Sequence, residues 1–152
     1  MFRMKKWIAA GLVAMMLCMV GAYSAYRSYK QNRPNPIWVP LPINPELPVA
    51  ERDETIKQLL TKLQDPAILE KVSADLNLTQ KMELPTDQEV AAELSKRLFV
   101  RAGDMDTPMG KVPSIHIGMN GKVKESKLAG EICVRLMDDV WALLGIEPPA
   151  RK

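Results

Sequence analysis

The chain has 152 residues, with 21 Lys+Arg against 18 Asp+Glu and a formal net charge of +3. That length fits one domain with appendages, and so even a charge balance removes any electrostatic case for nucleic acid. Two cysteines, Cys18 and Cys133, are too few and too far apart for a disulfide framework or a zinc site.

Residues 1–6 carry Arg3, Lys5 and Lys6 and form the expected cytoplasmic tail. From Trp7 to Tyr26 run twenty residues without a charge. As a helix they match a hydrocarbon core of about 30 Å, with Trp7 at one end and Tyr23 and Tyr26 at the other, where aromatic belts lie. A cleaved signal peptide has only Ala22-Tyr23-Ser24 to offer as a cut site. A lipoprotein signal lacks small residues before Cys18. The run is longer than a signal core, so the expectation is an uncleaved transmembrane helix over 7–26. Arg27, Lys30 and Arg33 follow it, so charge flanks both ends. A short basic N-terminus staying in the cytoplasm puts the remaining chain outside.

Residues 27–50 include RPNPIWVPLPINPELP, with six prolines. Fixed φ and missing N–H groups predict a stiff, extended tether. Within it, Ile37–Val39 and Leu41 offer a short edge strand, and Trp38 either packs on the domain or lands on a membrane surface.

The pattern then turns helical. Ile56, Leu59, Leu60 and Leu63 recur at helical spacing. Asp65-Pro66 caps and opens the next helix, on which Ile68, Leu69, Val72 and Leu76 share a face, and Asn77 closes it. Thr86 and Glu89 read as a capping box before Val90, Leu94 and Leu98. Leu98–Arg101 reads as a strand, Gly103 to Gly110 as a loop, and Val112–Met119 as a half-buried strand with Ile115, Ile117 and Met119 inward. Asn120-Gly121 suits a tight turn. The last helix spans Val123 to Leu144, with Gly145 and Pro148-Pro149 ending it and 146–152 a disordered tail. The sum is an α+β domain over 51–145: a small antiparallel sheet of two or three strands covered on one face by about four helices.

Residues with chemistry are sparse. His116 points away from the apolar face of its strand, and the sequence offers it no nucleophile or second titrating group. Asp104 and Asp106 begin like a calcium loop, but the other ligands are missing. Asp138-Asp139 fits a polar helix face. Met105 and Met109 offer at most a soft contact surface. No phosphate loop or nucleophile elbow occurs. The expectation is a protein that is not an enzyme and takes no cofactor or metal.

DPAILEKVSADLNLTQKM resembles the helix with a terminal leucine step in Wzz-type polysaccharide chain-length determinants, the polysaccharide co-polymerases. EVAAELSKRLFVR resembles their helix running into a short strand. SIHIGMNGKVKESKLAGEICVRLMDDVWALLGI resembles their strand, turn and helix, with Ala129 where the family places a closely packed alanine. The three segments keep the family's order over roughly 54–144. The family's long helical arm and second membrane helix have no counterpart up to Lys152, and the Pro-rich stretch stands where its first strand lies. The resemblance implies a base domain acting as a scaffold. It would be a non-catalytic accessory of O-antigen, capsule or exopolysaccharide biosynthesis, chain-length regulation or export. The expected setting is the bacterial inner membrane, single-pass, with the soluble domain in the periplasm. The implied partners are the membrane, further copies of the chain, and a polysaccharide polymerase or exporter. Helical phase then assigns Glu70, Lys71 and Asp75 to an interaction rim. The alternative is a secreted or anchored envelope binding module unrelated to polysaccharide.

Overall fold

The computed structural model describes the backbone of residues 2–145 and the side chains of residues 15–145. The expected tail at 146–152 lies outside the described residues, as do the side chains in the first half of the 7–26 run.

Helix α1, Phe2–Gln31, is continuous and therefore longer than the expected span. Every described side chain on it is exposed, including Met15, Met16, Leu17, Met19 and Val20. Among the described residues no helix is long and apolar enough to cross a membrane. The helix joins the domain through a short stem. Asn35 N donates to Gly121 O at 2.8 Å, Val123 N donates to Arg33 O at 3.0 Å, and Pro34 bridges Lys122.

Within the Pro-rich stretch the expected edge strand is present and longer than expected. This is β1, Ile37–Pro42, whose six residues pair antiparallel with the third strand. The three-stranded form of the expected sheet is therefore the one present. Ile43 N donates to Pro113 O at 3.2 Å, so odd-numbered amides face the partner strand. Pro40 and Pro42 then turn their nitrogens to the open edge, where no donor is needed and none invites a further strand.

The segment 103–110, expected as a loop, is hairpin. Strand β2, Leu98–Thr107, pairs with β3, Gly110–Met119, from Leu98↔Met119 out to Thr107↔Gly110. Two residues, Pro108 and Met109, make the turn. Gly110 has φ +119°, which side chains disfavour, and Thr107 Oγ1 donates to Gly110 O at 2.7 Å. Sheet order is β1-β3-β2, wholly antiparallel. Asn120-Gly121 does not form the expected tight turn. Asn120 N donates to Arg97 O at 2.8 Å, and the chain passes through the Pro34–Lys122 bridge into a 3-10 turn, Val123–Glu125.

The helices cover one sheet face. Helix α2, Val49–Leu63, buries Leu59 and Leu63. Helix α3, Pro66–Leu76, starts where Asp65 Oδ1 accepts from Ala67 N at 2.9 Å and stops at Asn77, left-handed at φ 52°. Leu69 and Val72 are buried and Ile68 is partly so. A five-residue helix α4, Leu78–Met82, was not foreseen. It lies between two left-handed residues, Asn77 and Glu83, and seats Leu78 in the core. Helix α5, Asp87–Arg97, has half of the expected box: Thr86 Oγ1 accepts from Glu89 N at 3.2 Å. Asp87 instead accepts from the buried Ser73 Oγ at 2.6 Å, joining α3 to α5. Helix α6, Ser126–Leu144, lays Ile132, Cys133, Leu136 and Val140 on the sheet and packs Ala129 closely. Val100, Ile115, Ile117 and Met119 meet these helices from the sheet. Each fully buried Leu, Ile or Val stabilises the fold by about 1.5–3 kcal/mol.

Candidate functional site

The chemistry of the domain lies where the helices do not cover it. Side chains alternate across a strand. With Ile115, Ile117 and Met119 inward, Ser114, His116 and Gly118 face out. Register then builds cross-strand rows on the outer face: Trp38–Gly118–Phe99, Pro40–His116–Arg101 and Pro42–Ser114–Gly103.

Two glycines shape this face. A Cβ on Gly118 would meet Trp38 Cβ at 2.7 Å and the Phe99 ring at 2.8 Å. A Cβ on Gly103 would clash with the His116 ring. Both positions are thus filled by a neighbour's side chain. His116 stacks beside Trp38, centroids 5.6 Å apart and planes 14° from parallel, and its Nε2 donates to Asp104 O at 3.3 Å. Arg101 reaches across Gly118. Its guanidinium carbon lies 4.9 Å from the Phe99 ring centre and 5.4 Å from that of Trp38. Such cation–π contacts contribute on the order of 0.5–1 kcal/mol at exposed sites. Arg101 makes no hydrogen bond or ion pair among the described residues. Beneath this layer Ser114 is fully buried, and its Oγ has no hydrogen-bond partner.

The flagged residues fall at scattered places. Trp38, 42% exposed, packs on the domain's outer face. His116 has ring and carbonyl neighbours but no hydrogen-bonded nucleophile or carboxylate. Asp104 and Asp106 are exposed on β2, and among the described residues no group of three or more potential metal ligands gathers. Met109, at the hairpin tip, is 99% exposed. Lys71 is exposed on α3 and Glu70 half-buried, but Asp75 is committed: Arg135 Nη2 donates to it at 2.6 Å, tying α3 to α6. Arg135 also reaches Asp139 at 2.9 Å and Asp138 at 3.9 Å. Desolvation alone would lower the pKa of that guanidinium; the Asp75 hydrogen bond and the carboxylate fields reverse it, and the net direction is up.

A hollow of about 310 Å³ opens between α4 and the start of α6, floored by Met119, Leu128 and Ile132. Three charges on its rim, Lys81, Arg97 and Glu125, are in ion pairs. Arg97 bonds Glu93 at 2.8 Å and Glu125 at 3.1 Å, and Lys81 bonds Glu131 at 3.0 Å. The Lys81 hydrogen bond, with its charge, holds the Glu131 carboxyl below the usual range. Cys133 is buried against β1, and burial pushes its thiol up to about 11, so it is no nucleophile at neutral pH.

Sequence reasoning missed the platform of Trp38, Phe99, Arg101 and His116. Its rows join three strands from distant stretches, and only the register brings them together. The available signal was Gly103 and Gly118, glycines inside strand patterns, which mark close approach. Comparison with protein-family profiles, with curated proteins and with solved structures yields no match to this chain.

Proposed function

We propose that this chain is a non-catalytic, membrane-anchored accessory of surface-polysaccharide biosynthesis, chain-length regulation or export, with its α+β domain held beside the bilayer in the periplasm. The observation that carries the anchor is α1. Its described apolar side chains, Met15 to Val20, are all exposed, and the chain that follows the helix joins the domain at the stem around Arg33–Asn35. A row of exposed apolar residues of this length needs a non-aqueous surrounding or a partner. The polysaccharide assignment rests on the three segments resembling chain-length determinants and on their packing into one sheet-and-helix base.

The mechanism is positional. Confinement to a membrane raises the effective concentration of the domains, so many weak lateral or polymerase contacts act together without a reactive group. The test is co-purification of the detergent-extracted chain together with glycan analysis of a deletion strain. Self-association or capture of a polysaccharide polymerase, with an altered length distribution, is expected. A strictly monomeric chain whose loss leaves glycan length and amount unchanged removes the proposal. Mass spectrometry of the mature chain should find residues 1–26 retained; a start near Ala25 contradicts the anchor.

A further inference from the structure

We infer that the outer sheet face is a binding platform for an acidic sugar residue, with Arg101 taking its carboxylate and Trp38 its ring. The argument begins with Arg101. A guanidinium presents its N–H donors in one plane as a rigid fork that matches a carboxylate. Its guanidinium carbon lies over the Phe99 ring at 4.9 Å and over the Trp38 ring at 5.4 Å, while its donors engage no protein acceptor among the described residues. An arginine held by rings and not by an acceptor keeps its N–H donors for an anion. The entropy of ordering the side chain is partly met before the ligand arrives.

The surroundings select the kind of anion. Trp38 is 42% exposed and the His116 ring stacks on it with planes 14° from parallel, so the ground beside Arg101 is aromatic. Gly118 lets Trp38 and Phe99 close over its Cα from either side. A flat aromatic surface suits the C–H face of a pyranose, since partly positive hydrogens meet the negative ring face. A carboxylate on that same sugar lies within one ring's breadth of the fork. Asp104 and Asp106 fall on the opposite side of β2 by alternation and do not compete for Arg101. A hexuronate unit of an acidic polysaccharide carries both features. That a sugar bears the anion rests on the polysaccharide role proposed above; the anion fork does not.

The experiment uses the full chain in neutral detergent micelles with a galacturonate decamer, read by calorimetry and tryptophan fluorescence. The same decamer with its carboxyls reduced, and vesicles of phosphatidylglycerol, form the other arms. Binding of the galacturonate is expected. Arg101→Gln, Trp38→Ala and carboxyl reduction should each weaken it about tenfold or more, and Arg101→Lys should restore it only in part. All these side chains are outside the core, and an unchanged thermal unfolding midpoint verifies that the variants fold. No binding at millimolar galacturonate, equal binding by Arg101→Gln, or equal binding of the reduced decamer overturns the inference. So does an Arg101-dependent response to the vesicles alone, which makes a lipid surface the occupant. Absent galacturonate binding beside an altered glycan in the deletion strain removes the platform only. Binding beside unaltered glycan removes the biosynthetic role and leaves the platform standing.

Discussion

Cys133 shows how a single side chain records its surroundings. The thiol is fully buried between α6 and β1, and burial raises its pKa from 9.0 to about 11. A raised pKa means that the folded state holds the proton more tightly. The stability this adds is complete below the unfolded value near 9 and is lost as pH climbs towards 11. The loss amounts to about 2–3 kcal/mol across that window. Urea unfolding at pH 8 and 10.5 should show a steeper decline in the wild type than in Cys133→Ala; parallel declines contradict the buried thiol. Residue-level signals of this local kind were legible in the sequence. Asp65, Asn77 and Thr86 each act within one helical turn, so their roles follow from near neighbours alone. Ser114 was not legible. Alternation puts it on the open face, yet it is buried there because the layer formed around Gly103 and His116 covers it.

Arg135 does the same work between elements. Located on α6, it ties Asp75 at the end of α3 and Asp139 one turn along its own helix, with its side chain 16% exposed. Replacing it by alanine leaves the Asp75, Asp138 and Asp139 carboxylates without this cation. The expected loss is about 1–3 kcal/mol in denaturant unfolding. Asp75→Ala should cost less, because Arg135 keeps Asp139. A stability for Arg135→Ala equal to wild type would show that the junction of α3 and α6 rests on apolar contacts alone. Element type followed from periodicity wherever one face is buried, as in α3, α5, α6 and the inner half of β3. It did not follow in the outer half of the hairpin. Residues 102–111 are mostly polar because helices no longer cover them, so the alternation that betrays a strand fades while the ladder continues. The edge strand expected at Ile37–Val39 and Leu41 is present and runs on to Pro42. Its prolines, breakers on the tether reading, lie on the edge with their nitrogens turned outward.

At the scale of the molecule, the chain divides into a helix that exposes apolar side chains and a domain that buries them. The stem joins α1 to the 3-10 turn, with Arg27, Lys30 and Arg33 on one side and Lys122, Lys124 and Lys127 following on the other. That stem joins the helix to the domain through Arg33–Asn35 and Gly121–Val123. On the proposed reading, action by position requires the domain to be held beside the bilayer by α1. The most direct test is complementation of a deletion strain by two forms of the chain. One is intact, and the other has residues 1–26 replaced by a cleavable signal that releases the same folded domain into the periplasm. The intact chain should restore the glycan length distribution and the released domain should not. Equal restoration by the released domain would contradict an effect that depends on confinement beside the bilayer.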